Sequence, residues 1–307
     1  MAVIPLWNKC NSNCIMCTNP SQFKDDDIDF SYKNIKDRLT RHRKTKNEFI
    51  EDDAHDKFYL TGGEPTMNPD LIKIIKEIYK QFPGKSVSLL TNGRSFIYEE
   101  YVKKIGKLSN LDEIIIPLHG HNRQSHDAIT RSPGSFDQTF RGLSNIFKYK
   151  RKEQKIEIRI VISKFNYESI DKILMLIKKY FYMADSVPVI FMEFEGQAEE
   201  NYSIIGLRYS EFRSQFVKLE KFLGEVSGLR FYHFPLCVVP EKFWPYLWRT
   251  LPEYEVFFDE KCNKCKYKDY CLGIHKHYDE IYGVSEFKPI SKIFNIKKSK
   301  NFYKPFN

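Results

Sequence analysis

Short apolar runs alternate with amphipathic stretches along most of the chain. Runs of β-branched and apolar residues predict strands over Ala2–Trp7, Lys57–Leu60, Ser86–Leu90, Glu113–Leu118, Lys155–Ile162 and Val187–Phe194. Between them, apolar positions recurring every three to four residues predict helices over Tyr32–Arg41, Asp70–Gln81, Tyr98–Ile105, Phe136–Tyr149 and Tyr167–Tyr180. Asn68-Pro69-Asp70 and Ser132-Pro133-Gly134 read as helix entries, with capping side chains and a proline near the start. Repeated strand–helix units imply a parallel sheet with right-handed crossovers. Six units without eight predict an α/β fold, a partial (β/α)6 TIM-type barrel over residues 1–235. In such barrels the chemistry sits on loops leaving the C-terminal ends of the strands. After Phe234 the pattern breaks into proline, aromatics and cysteines, so residues 236–307 read as a small metal-stapled region with a basic tail.

The chain has 307 residues, enough for such a core and an appendage. No apolar run approaches the roughly 20 residues of a membrane span, and the opening AVIPLW is too short for a signal-peptide core. The expectation is a cytoplasmic protein with no membrane partner. The formal net charge is +9, densest over Arg38–Lys46, Lys148–Lys155 and a tail from Lys288 with six lysines and no acid. Solvated helix faces and a frayed end account for these stretches. A surface that steers an acidic partner (a peptide, a flavodoxin-type reductant or RNA) is the functional alternative.

Seven cysteines change the picture most. An odd number in two clusters, without a secretion signal, argues for metal binding rather than disulfides. Cys10, Cys14 and Cys17 follow the first strand as C-x3-C-x2-C. Three thiolates on one tight loop can hold three irons of a cubane and leave the fourth open for chelation by a small molecule. A closed zinc site would want a fourth ligand nearby. One strand later comes Thr61-Gly62-Gly63-Glu64-Pro65, where two glycines allow close backbone approach to a ligand.

This pairing of motifs resembles the signature of the radical S-adenosylmethionine (SAM) superfamily, and the resemblance spans residues 1 to about 200. It implies a [4Fe–4S] cluster on Cys10, Cys14 and Cys17, with SAM as the second cofactor. It places Gly62, Gly63, Glu64 and Pro65 around the SAM ammonium. Further SAM contacts fall on Asn92 of Thr91-Asn92-Gly93-Arg94, His119 of Pro117-Leu118-His119-Gly120, and Arg159 on the fifth strand, each of which could equally be a turn or core-edge polar group. One departure is Met16 before the third cysteine, where the family often has an aromatic residue, so adenine packing is expected to differ there.

Near the C-terminus, Cys262-x2-Cys265-x5-Cys271 with Cys237 supplies four thiolates. The run resembles part of the SPASM and twitch extensions that carry auxiliary [4Fe–4S] clusters. A four-cysteine zinc site satisfies the same residues. Together with TNGR, PLHGHN, EIRIVI, FMEFEGQAEEN and CNKCKYKDYC, the whole pattern looks like the radical SAM maturases of His-Xaa-Ser peptide systems. That likeness implies a precursor peptide as substrate and a flavodoxin- or ferredoxin-type reductant. RNA or a small metabolite is the alternative substrate. With the first strand at residue 2, leader binding is expected on the barrel, the C-terminal region or a partner protein.

Glu193 and Glu195 leave the sixth predicted strand and are the candidate proton acceptors or substrate-backbone contacts, though surface acids fit the same pattern. His119, His121 and His126 invite a metal reading, but loop histidines are common. Tyr202 and Tyr232 are candidate hydrogen-atom relays. Three plus four cysteines leave none over, which disfavours chemistry that needs a donor thiol.

Overall fold

The structure, a computed structural model, describes residues 2–51 and 57–307. Its frame is a sheet of nine strands. These are β1 (Ala2–Pro5), β2 (Ile50–Glu51), β3 (Lys57–Thr61), β4 (Ser86–Leu90), β5 (Leu111–Pro117), β6 (Lys155–Ile162), β7 (Val187–Phe191), β8 (Leu229–Tyr232) and β9 (Leu247–Trp248). Their order is β2-β1-β3-β4-β5-β6-β7-β8-β9. Eight run parallel; β2 alone is antiparallel, against β1. The outermost strands of this order do not pair with each other, so the barrel stays open.

The six strands read from periodicity are present as β1 and β3–β7. Three elements extend the sheet beyond them. Ile50–Glu51, Leu229–Tyr232 and Leu247–Trp248 were not predicted, because two to four residues are too short to show a period. The strand β7 (VPVIF) is wholly apolar and buried because helices cover one face and the barrel interior the other.

Helices α1 (Tyr32–Thr45), α2 (Leu71–Gln81), α3 (Glu99–Gly106), α4 (Arg123–Thr130), α5 (Ser135–Tyr149) and α6 (Ile170–Tyr180) fill the crossovers. The helix α4 was not anticipated; Asn122 caps it by accepting from the Ser125 amide at 2.9 Å. Asn68 Oδ1 accepts from the Asp70 amide at 2.8 Å at the entry of α2, as expected, whereas the entry of α5 is capped differently from the local reading. The Asp127 carboxylate, from α4, accepts from the Gly134 and Phe136 amides at 2.7 and 2.8 Å and so caps α5 from a distance. Asn68 is buried and donates to the Leu6 and Phe30 carbonyls, tying the entry of α2 to the first strand.

Beyond the sheet, β10 (Val256–Phe257) pairs antiparallel with β11 (Ile274–His275), followed by a helix over Lys276–Tyr282. The basic tail is not a frayed end. Phe306 is fully buried, its ring 5.2 Å from that of Trp244, while Phe294 meets Trp244 at 5.4 Å. Aromatic burial outweighs the solvation that its lysines favour, and they are carried on the outside. Among the described residues, no helix is long and apolar enough to cross a membrane.

Candidate active site

The cysteine loop runs from the end of β1 and is braced on three sides. The amides of Asn13 and Ile15 donate to the Thr130 and Ile129 carbonyls at 2.9 Å each. Arg94, beyond β4, reaches under the loop: its guanidinium donates to the Asn11 carbonyl, to Ser12 Oγ at 3.0 Å and to Ser132 Oγ at 2.8 Å. Its Nε is held by Gln138 Oε1 at 2.6 Å. On the remaining side, the amides of Gln197 and Ala198 donate to the Asn19 and Cys17 carbonyls.

All three thiols of the loop are free. Burial raises each of their pKa values, and Cys14 is pushed up to about 12 by burial and by the neighbouring Cys17 and Cys10. Three thiolates so enclosed require a cation to compensate them, which is what an iron–sulfur cluster provides. The Ser12 amide also donates to Cys10 Sγ at 3.4 Å, the kind of N–H···S bond that such ligands carry. The donor set and its surroundings fit the cluster.

The Gly62–Glu64 turn is hydrogen-bonded directly to this loop. Gly63 N donates to Trp7 O at 2.5 Å and Glu64 N to Lys9 O at 2.9 Å. Gly62 has φ +124°, and a Cβ there would lie 2.4 Å from the Trp7 carbonyl oxygen. The close approach expected of these glycines is therefore made to the backbone that leads into Cys10. Glu64 is buried, and its carboxylate accepts four bonds. Oε1 takes Thr66 N (3.0 Å), Thr66 Oγ1 (2.6 Å) and Thr91 Oγ1 (2.6 Å); Oε2 takes the Asn92 amide at 2.6 Å. One acceptor position on Oε2 remains. Asn92 in turn donates to Asn11 Oδ1 at 2.6 Å and points toward Cys10 Sγ at 3.8 Å. Pro65 is buried at the start of the short turn behind them.

Further round the sheet, His119 is buried, with a pKa lowered to about 3 by burial and the His126 charge. Its Nδ1 has no hydrogen-bond partner among the described residues. His126 Nδ1 accepts from the His119 amide at 3.2 Å, and His121 pairs with Asn122, so these three histidines do not converge as ligands. Arg159 is partly buried and bonded to Glu157 Oε1 at 2.5 Å.

At the ends of β7 and β8 lies an acid–histidine group. Glu193 Oε1 stands 3.3 Å from His233 Nδ1, which also faces the Phe191 carbonyl at 3.1 Å. Glu195 Oε1 stands 3.7 Å from His277 Nδ1. Burial raises the pKa of Glu193 and Glu195, the latter helped by the Glu193 charge. Glu255, just before β10, is pushed up to about 7 by burial and then by Glu193 and Glu195. The histidines and Glu255 escaped the sequence reading; only the close spacing of His275 and His277 hinted at them. Arg94 and Thr91 were quoted there merely as motif letters. Tyr232 is buried and bonded to Arg230, whereas Tyr202 is exposed.

Cys237, Cys262, Cys265 and Cys271 line a single cavity walled by Leu236, Phe258, Phe287 and Ile290. Burial and the neighbouring Cys271 push Cys237 up to about 12. Backbone amides point at the sulfurs: Leu236 N and Gly273 N to Cys271 at 3.4 and 3.5 Å, Ile290 N to Cys265 at 3.4 Å. Four converging thiols with amide donors fit a tetrathiolate metal group, and iron–sulfur and zinc sites both satisfy that description. Tyr209 links this cavity to the barrel, donating to the His233 carbonyl at 2.7 Å and stacking on Phe191 with ring centroids 3.9 Å apart.

The model of the radical SAM superfamily matches residues 4–177. Curated relatives include an AdoMet-dependent heme synthase of Methanosarcina barkeri, 25% identical over 69% of this chain and 56% of that protein. A probable GTP 3′,8-cyclase of Saccharolobus islandicus is 29% identical over 56% of this chain and 51% of the relative. The chain thus spans about half the length of the curated relatives it matches. Among solved structures, Streptococcus suis SuiB bound to its precursor peptide SuiA shares the fold with a TM-score of 0.55 and 15% identity, over 75% of this chain and 48% of that one. The peptide- and AdoMet-bound anSMEcpe gives 0.55 and 18%, over 74% and 62%.

Proposed function

The chain belongs to the radical SAM superfamily, and on that premise we propose that it is a SAM-cleaving enzyme that modifies a ribosomally made peptide. The observation that carries this reading is the three-thiol loop bonded to the Gly62–Glu64 turn one strand away. When bound, a [4Fe–4S] cluster and SAM together supply one electron and a 5′-deoxyadenosyl radical able to take hydrogen from an unactivated carbon.

Cys10, Cys14 and Cys17 hold that cluster. The turn of Gly62, Gly63, Glu64 and Pro65, with Asn92, receives the amino-acid end of SAM, where the spare acceptor of Glu64 Oε2 faces an ammonium donor. His119, just beyond the end of β5, and Arg159, within β6 opposite Pro117, contact the ribose and carboxylate side. Glu193 and Glu195, whose pKa values burial raises, are the acceptors of a proton from the substrate. Cys237, Cys262, Cys265 and Cys271 hold an auxiliary [4Fe–4S] cluster that closes the substrate wall or takes up an electron. The electron for SAM cleavage comes from a flavodoxin- or ferredoxin-type protein in the cytoplasm.

The peptide is favoured by the shared fold of two proteins solved with peptides bound. A small metabolite is the second reading, favoured by the curated relatives' names, a heme synthase and GTP cyclases. Anaerobic incubation with SAM, reductant and candidate substrates, read by mass spectrometry, separates them. The expected result is 5′-deoxyadenosine together with a mass change in a peptide. No 5′-deoxyadenosine from fully iron-loaded protein would overturn the assignment.

A further inference from the structure

His275 is the anomaly of the C-terminal region. It is 6% exposed, and neither ring nitrogen has a hydrogen-bond partner among the described residues. Burying an unpartnered imidazole costs free energy that the fold has no evident reason to accept. His277 lies two residues on, its ring 5.2 Å from that of His275 and nearly perpendicular to it. Its Nδ1 is likewise buried without a partner, and Glu195 Oε1 stands 3.7 Å away, beyond hydrogen-bonding distance.

We infer that Glu195, His275 and His277 form a binding site for a divalent transition-metal ion of the zinc type, separate from both cysteine sites. One ligand atom from each of the three lies within 4.8 Å of the others. Ligands about 2.0–2.1 Å from a tetrahedral zinc stand roughly 3.3 Å apart, so small rotations of the half-buried Glu195 and His277 side chains close the set. Two imidazoles and a carboxylate are the donor set of catalytic zinc sites and of non-haem iron.

Tertiary packing builds this site from distant parts of the chain. Glu195 leaves β7 at the barrel mouth, while His275 ends β11 and His277 opens the following helix. Three protein ligands leave a coordination position free. That position takes an oxygen donor of the substrate, a carboxylate or amide carbonyl, and orients it beside Glu193, which is then the proton acceptor while Glu195 serves the metal.

The test uses the full, iron-loaded protein, incubated anaerobically with zinc chloride and desalted. The expected result is about one zinc per chain with a zinc K-edge spectrum of N/O ligands near 2.0–2.1 Å and no sulfur near 2.3 Å. His277→Ala and Glu195→Gln change side chains that are 39% and 34% exposed, so the fold is expected to persist, as checked by circular dichroism and unchanged iron. Each should weaken zinc binding by about tenfold or more, since even outer partners of metal ligands are worth that much. Zinc bound by sulfur alone, no zinc retained by the parent, or unchanged affinity in both folded variants would each overturn the site. The spectrum of the parent decides the matter even if a variant fails to fold. None of these readouts depends on SAM cleavage, so the site and the proposed activity stand or fall separately.

Discussion

Gly63 and Lys9 are in backbone contact so close that a Cβ on Gly63 would lie 2.4 Å from the Lys9 carbonyl oxygen. The Gly62–Glu64 turn and the cysteine loop are thus one packed unit rather than two neighbouring motifs. Gly63→Ala must push the segment leading into Cys10 aside, at roughly 1–3 kcal/mol, the usual cost of overpacking. The expected outcome is a lower Tm and loss of the N-terminal cluster, so that iron per chain falls from about eight to about four. Unchanged iron content would show that the loop yields without disturbing its thiols.

Iron counting also tests the two-cluster reading directly. Anaerobically reconstituted protein should carry about eight irons and eight sulfides, and replacing Cys10, Cys14 and Cys17 by Ala should leave about four. Four irons and one sulfur-bound zinc in the parent would reassign the Cys237–Cys271 cavity to zinc and leave the N-terminal site untouched.

Glu64 organises two strand ends through the donors Thr66, Thr91 and Asn92. In Glu64→Gln the amide nitrogen must face at least one of these donors. SAM affinity should fall by about 10- to 150-fold, the worth of one charge-assisted hydrogen bond of about 1.5–3 kcal/mol. Iron content should hold. A binding titration that finds parent affinity refutes the role.

The acid group at the barrel mouth makes stability depend on pH. The Glu255 carboxyl is raised from about 4.5 to about 7 in the folded state. Between those values the folded protein binds more protons than the unfolded one, so stability falls as pH rises and levels off above about 7. Glu255→Gln removes that contribution. Anaerobic thermal melts should show the variant gaining over the parent from pH 6 to 7, with a constant advantage at pH 8 and above. A difference that shrinks with rising pH would contradict the sign.

Replacing Cys262 and Cys265 by Ala tests the division of labour between the two thiol sites. The N-terminal loop offers three cysteines where the C-terminal cavity offers four, so uncoupled SAM cleavage to 5′-deoxyadenosine should persist while substrate modification is lost. Circular dichroism and about four remaining irons would first have to show an intact barrel, because a metal staple contributes to folding. Modification at the parent rate would remove the C-terminal group from the chemistry.

The chain's local patterns were sufficient for β1, β3–β7 and the helices between them other than α4, for the C-x3-C-x2-C loop and for the Gly-Gly-Glu-Pro turn. Each is a matter of covalent spacing: thiols three or four residues apart on a loop must lie near one another wherever the loop goes, and periodicity follows from backbone geometry. Strands as short as β8 and β9 escaped because a period needs length. Packing alone decided the rest. Arg94 reaches the cysteine loop only because β4 lies two strands from β1, and the lysine-rich tail docks because Phe294 and Phe306 find Trp244. The meeting of Glu195 with His275 and His277 depends on how the C-terminal hairpin seats against the end of β7. No residue spacing encodes such an encounter; it follows from burying aromatic surface between segments remote in the chain.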